Sequence, residues 1–125
     1  MNMKSKKEIL DCFGELLVQE VFDNQYRFIL NKVEDLKHTD GYKNLFHSMD
    51  EIQKKEIENY TKEILKGSLF DFLKIFEENE EFKLIYSEND TNIDLNQISE
   101  MLKSEPIIEN GWIDRFSEKL DDSTI

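Results

Sequence analysis

Apolar residues recur at three- and four-residue intervals through Ile9, Leu10, Phe13, Leu16, Leu17 and Val21. That spacing predicts an amphipathic helix running to about Phe22. Ser5 followed by Glu8 has the spacing of a capping box at its start. Gly14 lies inside this helix, where glycine costs roughly 1 kcal/mol against alanine, so another element is expected to pack closely there. Tyr26, Ile29, Leu30, Val33 and Leu36 carry the pattern onward, as a second helix or as the same one bent near Asp23 and Asn24. The turn formers His38-Thr39-Asp40-Gly41 then interrupt it. Tyr42, Leu45, Phe46 and Met49 give one short helical face. Ser48 with Glu51 predicts a second capping box, opening a helix through Lys66.

Gly67 and Ser68 predict a stop and restart, because the apolar phase slips between Ile64 and Leu69. Leu69, Phe70, Phe72, Leu73, Ile75 and Phe76 then cover nearly the whole circumference of a helix, which predicts a central apolar helix over 68–78 wrapped by the others. Beyond the acidic bend Glu77-Glu78-Asn79-Glu80-Glu81, Phe82, Leu84 and Tyr86 alternate as a strand does. Asn92 to Leu95 is expected to return beside it, giving a small β-hairpin near 82–95. Asp94 also suits the N-cap of a helix holding Leu95, Ile98, Met101 and Leu102, and both readings hold if the second strand is very short. Pro106 ends that helix, Asn110-Gly111 makes a turn, and a last helix is expected from Trp112 to Leu120 with Trp112, Ile113, Phe116 and Leu120 inward. The predicted fold class is mainly α (α+β), five to seven helices around 68–78. One domain is expected over 1–125, frayed at 1–5 and 121–125.

Composition narrows the function classes. The single cysteine, Cys12, cannot form an internal disulfide, which implies a reducing compartment. Acidic residues interrupt any secretory signal after Lys7, and no uncharged stretch exceeds the six residues Asn44 to Met49. The expected location is cytoplasmic, with no membrane contact. The net charge of −12 is unevenly spread. Residues 1–62 hold twelve acidic and ten basic side chains, a balance of −2, and residues 63–125 hold sixteen and six, a balance of −10. Such a field repels nucleic acid and anionic lipid and favours a basic protein partner.

No phosphate loop, nucleophile elbow or zincin spacing is present, so no catalytic residue and no cofactor are expected. Asp90-Thr91-Asn92-Ile93-Asp94 has alternating oxygen ligands like the start of a calcium loop, but Leu95 stands where the glycine is needed and Met101 where the bidentate glutamate belongs. A solvated turn is the expectation. His38 and His47 lack a metal-site pattern, and Cys12 is expected to pack rather than react. No metal is expected.

The distinctive feature is the acidic bend. Glu77, Glu78, Glu80 and Glu81, brought near Glu88, Asp90 and Asp94 by the hairpin, are expected to concentrate negative potential at one end of the domain. Trp112 is expected either in the core or as an exposed aromatic anchor beside that surface. These eight residues are the candidate partner-binding set. They point to a small acidic protein-binding domain that neutralises a basic partner, with an immunity protein or toxin inhibitor of a bacterium as the concrete form. A self-associating helical module, a homodimer, is the alternative.

Overall fold

The computed structural model describes residues 4–118. The expectations for Leu120, for 121–125 and for the first three residues fall outside that range. The fold is mainly helical with one small hairpin. Helix α1 (Lys6–Leu17) begins with the predicted box: Glu8 N–H donates to Ser5 Oγ at 3.1 Å, and Ser5 N–H to Glu8 Oε1 at 3.0 Å. Neither a pause nor a new cap follows. A π-turn (Val18–Asp23) leads straight into α2 (Asn24–Leu36). Its wider winding shifts the helical phase, so that Val21, which the spacing placed inward, is exposed and Phe22, one residue on, is buried.

The same turn buries Asp23. Its two oxygens accept from Ser117 Oγ at 2.6 Å and from Glu118 N–H at 2.8 Å, which accounts for a carboxylate held away from water. Gln19 Nε2 donates to the Phe116 carbonyl at 3.2 Å, and Arg27 pairs with Glu118 at 3.0 Å. The end of the described chain is thereby fastened to the π-turn.

After the turn at Gly41, whose φ of +96° suits glycine, comes the short α3 (Lys43–Phe46). The capping box of the next helix lies two residues later than predicted: Gln53 N–H donates to Asp50 Oδ1 at 2.7 Å and Asp50 N–H to Gln53 Oε1 at 2.9 Å. Helix α4 (Glu51–Glu78) is one element of 28 residues, so Gly67 and Ser68 do not stop it. Ser68 Oγ donates back to the Ile64 carbonyl at 2.8 Å, which satisfies the hydroxyl inside the helix. The slip in apolar phase instead records a change of neighbours: Lys62 Nζ lies 5.2 Å above the Tyr26 ring of α2, whereas Glu77 reaches Lys103.

Strands β1 (Ile85–Glu88) and β2 (Thr91–Asp94) pair antiparallel, Ile85 opposite Asp94 and Glu88 opposite Thr91. The strand starts three residues later than the alternation from Phe82 suggested. Asn89 and Asp90 turn it with φ of 50° and 66°, a conformation these residue types tolerate. Both readings of Asp94 hold, because β2 is short and Asp94 Oδ1 accepts from Asn96 N–H at 3.0 Å to cap α5 (Leu95–Ile98). That helix is a single turn. A 3₁₀ turn (Leu102–Ser104) follows, with Met101 exposed rather than inward, and α6 (Trp112–Phe116) closes the described chain.

The core is centred elsewhere than predicted. Of the segment 68–78 only Leu69 and Leu73 are buried, while Phe72 and Ile75 remain 47% and 45% exposed. The centre is Trp112, 0% exposed, clustered with Ile9, Leu17, Val18, Phe22, Leu69, Leu73, Leu102 and Ile113. Its ring meets Phe13 edge to face at 5.7 Å and lies flat against Gly14. The close packing expected at Gly14 is this contact.

Asp11 ties α1 to α6, accepting from Lys7 Nζ at 2.7 Å and from Arg115 Nη1 at 3.0 Å. Burial alone pushes this carboxyl up, but the hydrogen bonds and charges of Lys7 and Arg115 outweigh it and hold it below the ordinary Asp value. A carboxyl lowered in the folded state stabilises above its unfolded pKa, roughly 4, and loses that contribution as pH falls through the folded value. Urea unfolding of wild type and Asp11→Asn should therefore differ most at pH 7, with the gap narrowing below the ordinary Asp value and closing only as pH falls through the lowered one. A gap that stays constant across that range would remove the linkage.

Candidate partner-binding surface

The eight predicted residues do not form one surface. Glu77 is turned inward, its side chain 16% exposed: Oε1 accepts from Lys103 N–H at 2.6 Å and Oε2 lies 3.7 Å from Lys103 Nζ. It caps the 3₁₀ turn, for which Met101 supplies no side chain. Asp94 is committed to the cap of α5 and lies 3.9 Å from Lys83. Glu88 accepts from the Tyr86 hydroxyl and pairs with Lys4 at 3.6 Å. Trp112 is core and offers no surface.

Glu78, Glu80, Glu81 and Asp90 remain exposed and carry no ion pair among the described residues. The hairpin does not gather them. Strand β1 leads away from the bend at about 3.3 Å per residue, so Glu88 lies roughly 10 Å beyond Ile85 and Asp90 farther still. Only Glu78, Glu80 and Glu81 stay together. They stand at the C-terminal end of α4, where the unsatisfied carbonyls add partial negative charge of their own.

The sequence reading missed what adjoins them. Between 59 and 78 the exposed face of α4 presents Tyr60, Ile64, Gly67, Phe72 and Ile75, with Phe82, 60% exposed, just past its end. Phe72 meets Phe76 edge to face at 5.4 Å, which fixes the ring where the exposed face joins the core-facing one. Every charged residue exposed along this stretch is acidic: Glu63, Asp71 and Glu78. Lys62 and Lys66 are half-buried on the flanks, with Lys66 3.7 Å from Glu63, and Lys74, also half-buried, falls two turns beyond Gly67 on the same side of the helix. A signal for this face was present in the sequence, since a period of 3.6 sets Asp71, Ile75 and Glu78 on the side opposite Leu69 and Leu73.

Other concavities are weaker candidates. A cleft of about 490 Å³ beside Trp112 is lined by Lys7, Asp11, Glu105 and Arg115, three of which already pair with one another. A small apolar pocket of about 180 Å³ between α1 and β1 has Cys12 and Leu16 among its lining residues. His38 and His47 line an open groove with Asp40 and Lys43. Asp90 and Asp94 stand at opposite ends of β2, and among the described residues no group of three or more His, Cys, Asp or Glu is placed to hold a metal ion. No helix among those residues is long and apolar enough to cross a membrane. Compared with known protein families, with curated proteins and with solved structures, the chain matches none.

Proposed function

We propose that the chain is a protein-binding domain that holds a basic partner against the exposed face of α4 and the adjoining bend. Phe72, Ile75 and Phe82 are the apolar anchors of this reading, and Asp71, Glu78, Glu80 and Glu81 are its acidic rim. The observation that carries it is the pairing of half-exposed aromatic and aliphatic side chains with exposed charges that are all acidic along 59–78, the exposed Lys83 beyond Phe82 lying 3.9 Å from Asp94. Desolvated aromatics supply affinity at such surfaces, while a rim of carboxylates speeds encounter with a cationic protein and excludes acidic ones. An immunity-type inhibitor that covers a cationic toxin in the cytoplasm is the concrete form. No catalytic residue, cofactor, nucleic acid or membrane enters the reading. Relative to the sequence expectation, the anchor moves from Trp112 to Phe72 and Phe82, and Glu77, Glu88 and Asp94 leave the binding set.

A photo-crosslinking residue at position 80, compared with one at position 40, tests this in the cells that make the protein. The expected result is a basic protein trapped from position 80 alone, and lost in about 0.5 M salt or when the flanking Glu78 and Glu81 become Gln, since screening at that strength cuts electrostatic reach to about half its physiological value. Equal trapping by the Gln variant, or a trapped partner of acidic character, would overturn it.

A further inference from the structure

Four glycines occur in the chain, and three have an internal reason. Gly14 admits the Trp112 ring, Gly41 has a positive φ, and a Cβ on Gly111 would strike the Glu105 and Ile108 carbonyls. Gly67 has none. It sits inside the 28-residue α4, it is exposed, and among the described residues nothing lies within 4 Å of where its Cβ would be. Helix-interior glycine weakens a helix, so the free protein gains nothing from it.

Its position is informative. Gly67 and Ser68 fall midway along the exposed stripe, with Tyr60 and Ile64 on one side and Phe72 and Ile75 on the other. An α-helix approaches another most closely where side chains are smallest, and the flanking apolar residues then close over the crossing. Resting on the partner-binding reading above, we infer that the partner presents a basic amphipathic helix, which lies along α4 and crosses it at Gly67. From Tyr60 to Glu78 the stripe is about 27 Å long at 1.5 Å per residue, a length that about eighteen helical residues match. Charge selects the occupant. A second copy of this chain would set Glu63, Asp71 and Glu78 against a face whose exposed charges are again acidic, whereas lysines or arginines flanking an apolar stripe complement them.

The test uses the full chain and a fluorescently labelled Lys/Leu amphipathic peptide of about eighteen residues, beside a peptide of the same charge broken by two prolines, which cannot continue a helix. Anisotropy is expected to show the helical peptide bound about tenfold more tightly than the broken one, and Gly67→Leu is expected to weaken that binding by about tenfold, because its side chain occupies the crossing point. Gly67→Ala is the folding control: its thermal midpoint should be at or above that of wild type while its affinity falls by less. Equal binding of the broken peptide, or affinity unchanged in Gly67→Leu, overturns the helical mode and leaves the acidic surface standing. A wild-type dimer dispersed by Gly67→Leu in ultracentrifugation assigns the stripe to a second copy and overturns the inference. If neither peptide binds, both readings fall.

Discussion

Trp112→Ala is expected to destabilise the fold by about 3–5 kcal/mol, the usual cost of truncating a large buried aromatic. For a domain whose total stability is about 5–15 kcal/mol, that approaches or reaches unfolding. The indole has no exposed surface, closes against Gly14 and Phe13, and belongs to the one cluster that joins α1, the π-turn, α4 and α6. The cavity left behind has no obvious way to collapse, because Gly14 contributes no side chain to fill it. Urea unfolding followed by far-UV circular dichroism checks this. A loss below about 1 kcal/mol, the size of an ordinary surface change, would mean that the core is centred elsewhere.

Gly14→Ala is expected to lower stability even though alanine is the better helix former. Its Cβ would sit 2.5 Å from the Trp112 ring, closer than atoms can approach, and a buried indole cannot swing aside as an exposed side chain can. Overpacking of this kind costs about 1–3 kcal/mol, which outweighs the roughly 1 kcal/mol gained in helix propensity. Gly67→Ala provides the contrast, with the same propensity gain and nothing to strike. In a Trp112→Ala background the sign at Gly14 should reverse, so that Gly14→Ala becomes stabilising by about 0.5–1 kcal/mol. Purely additive effects in that double-mutant cycle would show that the two residues do not meet.

These two glycines mark how far local pattern reaches. The periodicity around Gly14 was unbroken, so a helix had to contain it and a close neighbour was the remaining explanation; the neighbour is Trp112. At Gly67 the phase slipped, and a break was the simplest local account. The helix runs through because neighbours change along its length, and which neighbours a helix meets is not encoded in its own period. The π-turn escaped detection for a related reason. One residue of phase error between Val21 and Phe22 is too small to separate from ordinary irregularity until Asp23 is seen to be buried with Ser117 and Glu118.

By itself the sequence determined the helix-rich class, the Ser5 cap, a small hairpin near 82–95 and the acidity of the second half, because caps, turns and periodicity depend on residues a few positions apart. Only the tertiary structure decided which carboxylates are free to meet a partner and which aromatics are core. Glu77 is spent on Lys103, twenty-six residues away, Glu88 on Lys4 from the other end of the chain, and Trp112 on Gly14. Whether a charge or a ring faces water is settled by what folds over it, and that contact is made between residues distant in the chain.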